Sequence, residues 1–192
     1  MKGFLKKPRK GTYGYLKGMR YYTLLKALLL FFFAFAVLLT GKLRFPVYSK
    51  MFGITAIVIC IPGAMAAVSF VMFCLHKPGS AEVYEECEQI RGEVPVFYDS
   101  VITTTEKGYS ISVFACADGS LIGFAGAEGM DASLVEKHIR QMNEKNGLDG
   151  VGVKIFKDYS AFKARLLKLA SGYPQKKEKD LSVLALIGNL SL

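Results

Sequence analysis

Two long apolar segments separated by a short basic loop constrain this chain more than any other feature. The first, residues 21–40, contains a single charged residue, Lys26, and the second, residues 51–75, contains none. An α-helix rises about 1.5 Å per residue, so about 20 residues cross the ~30 Å hydrocarbon core of a bilayer. A cleaved signal peptide would need a small-residue cleavage site, and none follows Leu39. The sequence therefore predicts a two-helix transmembrane hairpin over residues 21–75.

The charges of the chain are divided unevenly between its two parts. Residues 1–80 contain twelve Lys/Arg and no Asp/Glu, whereas residues 81–192 contain thirteen Lys/Arg and sixteen Asp/Glu. The net charge of +9 therefore arises wholly beside the apolar segments. Basic residues there attract anionic lipid headgroups, at about 1 kcal/mol each. This distribution predicts a lipid bilayer with anionic lipids as a partner and argues against nucleic acid.

Positive residues beside a span favour the cytoplasmic side of a membrane. Eight lie in the chain up to Lys26, against three in the loop at residues 41–50. We therefore expect a multi-pass protein of the cell membrane with its N-terminus and C-terminal domain in the cytoplasm. A hairpin that crosses the bilayer incompletely is the alternative. Residues 1–20 are expected to form an unpacked basic arm that faces lipid, and the expected interface residues are Lys17, Arg20, Tyr21, Tyr22 and Lys26.

The second span carries small residues at helical spacing. Small residues allow helix backbones to approach each other closely in lipid. The predicted packing face, against the first span or a second copy of the chain, comprises Gly53, Ala56, Cys60, Gly63, Ala64 and Ala67. A homo-oligomer through this face is one expected partner. A small oligomeric channel or transporter component is an alternative function, disfavoured because the span contains no ionisable residue.

Residues 80–172 predict a separate α+β domain. Helical patterns at 81–91, after Asp131 or Ser133, and after Asp158 alternate with strand patterns at 94–105, 109–116, 121–125 and 151–155. About 110 residues can bury one core. We predict a mixed sheet of about four strands covered by helices in the cytosol.

Capping signals support the predicted helix boundaries of this domain. Ser80 is a candidate N-cap for the first helix, and Ser133 with Glu136 has the spacing of a capping box. Residues 173–192 combine a charged linker with an apolar segment. That segment is compatible with a short docking helix or with an added strand.

The four cysteines do not suggest a metal or disulfide framework. Cys60 and Cys74 lie in the second span, whereas Cys87 and Cys116 lie in a predicted helix and strand, and no two form a CxxC pair. Free thiols are typical of a cytosolic domain.

The sequence contains no recognisable catalytic cluster. Its two histidines, His76 and His138, lack partners at metal-binding spacing, and phosphate-binding glycine motifs are missing. We therefore predict no catalytic, cofactor or metal site. The open alternative is a divalent ion held by Asp99, Asp118 or Glu128.

Two resemblances accompany these patterns. The element order of residues 80–171 resembles the core of the PD-(D/E)xK nuclease-like fold, whose acidic and acid-x-Lys signatures lie on its second and third strands. Those strands here read Tyr-Ser-Ile-Ser-Val-Phe-Ala-Cys and Leu-Ile-Gly-Phe-Ala-Gly, so the resemblance implies a degenerate, non-catalytic relative.

The whole chain also resembles uncharacterised two-span membrane proteins of Gram-positive bacteria. That likeness rests on four short segments: Tyr21-Tyr22, Phe31-Phe32-Phe33, Ile61-Pro62-Gly63 and Val153-Lys154-Ile155-Phe156. It implies no particular activity. The function expected is that of a membrane-anchored, non-catalytic cytosolic interaction or regulatory domain with an unknown protein partner. The alternative is a membrane-tethered degenerate nuclease-like or metal-dependent module.

Overall fold

The computed structural model describes residues 7–104, 107–126, 130–173 and 178–192. The chain forms two compact units, one helical, containing residues 17–75, and one α+β, containing residues 8–16 and 76–192. A helical hairpin followed by an α+β domain is the predicted fold class, which is confirmed.

The helical unit contains two long helices. Helix α1 spans Tyr15–Arg44, a short 3₁₀ turn spans Pro46–Tyr48, and helix α2 spans Ser49–Leu75. Within the described residues, both helices are long and apolar enough to cross a membrane, and only 17% of each apolar window is buried. Helix α1 begins six residues before the predicted span, because the helix continues through the basic Lys17–Arg20 segment.

Small side chains line the contact between α1 and α2. The buried positions of α2 fall at spacings of seven and three residues, which is the repeat of a left-handed helix pair. A Cβ on Gly63 would lie 3.4 Å from the Phe31 ring, and a Cβ on Gly41 would overlap Phe52. Glycine at these two positions therefore allows the close approach of large side chains from the other helix.

The α+β domain is built on a four-stranded mixed sheet. Strands β1 (Val96–Thr103), β2 (Gly108–Ala117) and β3 (Ser120–Phe124) form an antiparallel meander, and β4 (Gly152–Phe156) pairs with β3 in parallel. The parallel pair requires a crossover, which helix α4 (Ala132–Lys145) provides. The prediction of a mixed sheet of about four strands is confirmed.

Helices cover both faces of the sheet. Helices α3 (Ala81–Ile90) and α5 (Tyr159–Ser171) pack around Phe162 and Leu166 on one face. Helix α4 and the C-terminal helix α6 (Glu178–Leu190) pack on the other face, around Phe114 and Ile139. Because both faces of the sheet are covered and apolar, the central strands show little alternation between apolar and polar residues.

The helix caps are partly those predicted. Ser80 and Asp158 cap α3 and α5 as expected. Asp131 rather than Ser133 caps α4, so the predicted capping box is wrong. The Glu136 carboxylate instead accepts a hydrogen bond of 2.8 Å from the backbone N–H of Ile155, because α4 packs along β4.

Residues 8–16 differ from the expected lipid-facing arm, because they pack on the α+β domain. The Tyr98 amide donates to the Gly11 carbonyl at 3.0 Å, and the Tyr13 ring stacks on Tyr84 with 4.5 Å between centroids. Gly11 has φ +81°, and a Cβ there would overlap the Phe97 ring. The absence of a side chain at Gly11 therefore permits close contact between this segment and the domain.

The C-terminal segment forms helix α6 rather than a strand. Val183 and Ile187 are fully buried against β1 and β2. After the helix, the Ser191 hydroxyl accepts a hydrogen bond from the Val101 N–H, and Lys10 donates to the Ser191 carbonyl at 2.6 Å. The predicted separate segment at 173–192 is thus part of the domain core, apart from residues 174–177, which lie outside the described residues.

Asn143 is buried in α4 at 2% exposure, and neither side-chain Nδ2 nor Oδ1 has a hydrogen-bond partner among the described residues. An unpaired buried amide costs about 1–3 kcal/mol. We expect Asn143→Leu to raise the free energy of unfolding by about 1 kcal/mol, measured by pulse proteolysis of the full chain in urea. Asn143→Asp is the opposing control, because a buried unpaired charge destabilises. A less stable leucine variant would contradict this assignment.

Candidate binding groove and the Asp99 clamp

Asp99 lies in the middle of β1 in an unusual backbone conformation. Its φ is +49°, a region that few residues other than glycine, asparagine and aspartate adopt. Asp99 is 1% exposed, and the β1–β2 register skips its pairing with Ser112. Because of this backbone conformation, Asp99 does not pair with Ser112 in the sheet, and its carboxylate turns toward two other segments.

The Asp99 carboxylate connects the segments that precede α1 and follow α2 in the chain. Its Oδ2 accepts from the Gly14 N–H and its Oδ1 from the Gly79 N–H, both at 2.8 Å. Hydrogen bonds from amides to a carboxylate are about twice as strong as neutral ones. We call this arrangement the Asp99 clamp. It fixes residues 14 and 79, which are 65 positions apart in sequence, on one side chain.

A groove of about 290 Å³ lies beside the clamp. Its polar lining comes from the Lys77, Ser80, Ser110 and Ser112 side chains, and its apolar lining includes Phe124. We call it the serine groove. The two β2 serines lie two residues apart, so they share one face of the strand.

The polar groups of the serine groove differ in their hydrogen bonding. The Ser110 hydroxyl lies 3.2 Å from His76 Nδ1, and the Ser80 hydroxyl accepts from the Val83 N–H at 3.3 Å. Among the described residues, no partner lies within hydrogen-bond distance of the Ser112 hydroxyl, and no carboxylate lies within 4.0 Å of the Lys77 ammonium. The groove therefore presents a cation and hydroxyl groups to solvent.

The acidic residues considered for a metal site do not come together. Asp99 is engaged in its clamp, and Asp118 lies in the β2–β3 turn, six residues along β2 from the position opposite Asp99, about 20 Å at strand spacing. Glu128 lies outside the described residues. Within the described part of the chain, no group of three His, Cys, Asp or Glu is placed to hold a metal ion. His138 lies on α4, whereas His76 lies beside Ser110 of β2.

Asp180 provides a second buried carboxylate cluster on the opposite face of the sheet. Its Oδ1 accepts from the Gly119 N–H at 3.0 Å and its Oδ2 from the Tyr173 hydroxyl at 2.8 Å. The Asp118 N–H and the Cys116 thiol also donate to it. Burial opposes ionisation of Asp180, but these four donors outweigh burial and lower its pKa. The cluster fastens α6 to the β2–β3 turn, which is a structural role.

The two thiols of the domain are chemically protected. Cys87 and Cys116 are both fully buried. Burial, with smaller contributions from neighbouring carboxylates, raises the pKa of Cys87 to about 11. Burial and the Asp180 carboxylate raise the pKa of Cys116 as well. Because the thiolate is the reactive form, neither residue is suited to nucleophilic chemistry.

The residues predicted to pack in the second span occupy different environments. Ala56 and Gly63 are buried, Gly53, Cys60 and Ala67 are half-buried, and Ala64 is exposed. Ala66, which the prediction omitted, is buried at 6% exposure. Ala66 lies three residues after Gly63, so an alternating spacing of seven and three residues was the signal that could have placed it on this face.

The residues predicted to lie at the membrane interface are mostly exposed. Lys17 and Lys26 are exposed, Tyr22 is half-buried, and Tyr21 is 76% exposed. Arg20 is half-buried, and its Nε donates to the Phe73 carbonyl at 2.9 Å. Arg20 therefore satisfies a carbonyl near the C-terminal end of α2.

Sequence reasoning missed the serine groove, although part of its signal was visible. The alternation of Tyr109-Ser110-Ile111-Ser112-Val113 places both serines on one side of β2. Which elements border that side depends on tertiary packing, and no local pattern specified it.

No protein-family model matches this chain, and comparisons with curated proteins and with solved structures also find no match. The two resemblances drawn from the sequence therefore stay predictions.

Proposed function

We propose that this protein is a membrane-anchored, non-catalytic interaction or regulatory protein. The observation that carries the proposal is the contrast in exposed apolar side chains. Among the described residues, 24 large apolar or aromatic side chains are exposed between Tyr21 and Leu75, against only Leu167 and Leu181 in the α+β domain. Exposed apolar surface of that extent is rare in contact with water. A bilayer around the two helices is the solvent that removes this cost.

The chemistry of the α+β domain supports binding rather than catalysis. Its two buried carboxylates, Asp99 and Asp180, each hold backbone amides. Its buried thiols are protected. Within the described part of the domain, the serine groove combines accessible volume with polar groups facing solvent.

We place the N-terminus and the α+β domain in the cytoplasm of a cell-membrane protein. Positive residues favour that side, and the chain up to Lys26 carries eight of them. Lys42, Arg44 and Lys50 lie at the other ends of the two helices. The larger group of charges sets the proposed orientation.

Thiol labelling in intact cells tests both insertion and orientation. The parent variant carries Cys60→Ala and Cys74→Ala and retains the two buried cysteines. Onto it we add either Val47→Cys, at a position 86% exposed, or Lys168→Cys, at an exposed position of α5. We expect a membrane-impermeant maleimide to label Val47→Cys in intact cells and Lys168→Cys only after permeabilisation.

The parent protein is the matched control, because Cys87 and Cys116 are expected to remain unlabelled until the protein is denatured. Labelling of Lys168→Cys in intact cells would reverse the orientation. Recovery of the chain in the soluble fraction after alkaline carbonate extraction would overturn membrane anchoring itself.

A further inference from the structure

We propose that the serine groove binds a phosphate group, presented by an anionic lipid headgroup or by a soluble phosphate ester. This inference rests on the proposed function and names the class of ligand that the domain would take. The groove volume of about 290 Å³ lies near the lower end of small-ligand sites. It therefore suits a phosphate with a small organic group attached.

The charge of the groove favours an anion. Lys77 is exposed and has no carboxylate within 4.0 Å among the described residues. A lysine ammonium offers three donors to phosphate oxygens. The chain up to residue 80 contains no acidic residue that could compete with an anionic ligand for the Lys77 ammonium.

The hydroxyl groups supply further donors. The Ser112 hydroxyl has no partner among the described residues. The Ser80 oxygen accepts from the Val83 N–H, which leaves the hydroxyl hydrogen of Ser80 able to donate. Serine hydroxyls and lysine together match the several acceptor oxygens of a phosphate.

The nearest buried negative charge is already compensated. Asp99 Oδ1 would lie 3.1 Å from a Cβ on Gly79, at the edge of the groove. Its carboxylate accepts from two backbone amides and is 1% exposed. The remaining negative charge of Asp99 repels an anion and so limits its affinity for the groove. We therefore expect dissociation constants for phosphate ligands in the millimolar to high micromolar range.

The position of Lys77 in the chain makes a lipid phosphate an accessible source. Lys77 follows the last residue of α2 by two positions, so about 7 Å of extended backbone at most separates the two. Phosphate groups of lipids lie at the ends of membrane-spanning helices. A soluble phosphate ester offers the same chemistry without the bilayer.

Amide NMR of the ¹⁵N-serine-labelled full chain tests the proposal. One arm titrates inorganic phosphate and glycerol 3-phosphate into protein in neutral phosphatidylcholine nanodiscs. The other compares those nanodiscs with nanodiscs that contain about one fifth phosphatidylglycerol. We expect the Ser110 and Ser112 amides to shift in a saturable manner in one arm or both.

Matched variants separate groove binding from general attraction to basic residues. We expect Lys77→Ala and Ser112→Val each to weaken binding about tenfold, and Lys168→Ala, which removes an exposed lysine of α5, to leave it unchanged. In Ser112→Val the Ser110 amide is the reporter, because that variant has no labelled amide at position 112. If Lys77→Ala does not fold, Ser112→Val followed through Ser110 carries the test.

Each outcome has a defined meaning. Saturable shifts with soluble phosphate support a free phosphate ester, and shifts only with phosphatidylglycerol support a lipid headgroup. Unchanged Ser110 and Ser112 amides in both arms, or equal shifts in the two groove variants and the parent, would overturn the proposal. The soluble arm can be repeated in neutral detergent, so its result does not depend on whether the membrane orientation is correct.

Discussion

Replacing Asp180 with alanine is expected to lower the free energy of unfolding of the α+β domain by about 3 kcal/mol. The carboxylate is 1% exposed and accepts from four donors, among them two backbone amides of the β2–β3 turn. Each buried donor left unpaired costs about 1–3 kcal/mol, and relaxation of Tyr173 recovers part of the total. Pulse proteolysis of the full chain in urea and neutral detergent measures the change.

Two variants define the origin of that loss. Asp180→Asn keeps the side-chain shape, but its amide NH₂ faces hydrogen-bond donors and cannot accept from them. We therefore expect the free energy of unfolding to fall by about 2 kcal/mol. Glu178→Gln removes a carboxylate from the exposed first turn of the same helix and should change stability by less than about 0.5 kcal/mol. An Asp180→Ala variant as stable as the parent would exclude the proposed role of this cluster.

The Asp180 contribution should also depend on pH. Its folded-state pKa is lowered relative to the unfolded value of about 3.9, so the ionised form favours folding. The stabilisation is therefore present above about pH 4 and is lost as pH falls through the folded-state pKa. The stability difference between the parent and Asp180→Asn should shrink over that interval and stay constant from pH 5 to 8. A constant difference down to pH 2 would contradict this reading.

Replacing Asp99 with alanine is expected to destabilise the domain by about 3 kcal/mol. The change removes the acceptor of two amide hydrogen bonds of 2.8 Å and places alanine at φ +49°. Asp99→Gly removes the same hydrogen bonds but tolerates the backbone, so its loss should be about 1 kcal/mol smaller. The difference between the two variants measures the backbone strain.

The Asp99 clamp also predicts a local effect. Without it, the segment around Gly14 loses an anchor, so trypsin should cleave after Lys10 several-fold faster in both variants. Asp149→Ala, at a surface turn before β4, is the control and should leave cleavage after Lys10 unchanged. Equal cleavage rates in the parent and both Asp99 variants would show that Asp99 does not hold this segment.

Local sequence was sufficient to predict most elements of this protein, but not α6, for which a helix and a strand were both compatible. The length and hydropathy of residues 21–40 and 51–75 predicted the two helices, because crossing a bilayer depends on residue count and apolarity alone. Period-two and helical patterns predicted the order of the later elements, and Ser80 and Asp158 marked two helix starts. These signals involve residues within a few positions of one another, so they can be recognised without knowledge of the tertiary structure.

Tertiary structure alone decided what the polar residues do. Asp99 bonds to Gly14 across 85 positions, and Asp180 bonds to the Asp118 amide across 62. Ser112 lines a groove only because Lys77 and Ser80 border the same side of β2. Such contacts follow from how the whole core packs, and a carboxylate or serine has the same local signature whether it holds a backbone amide or faces a ligand.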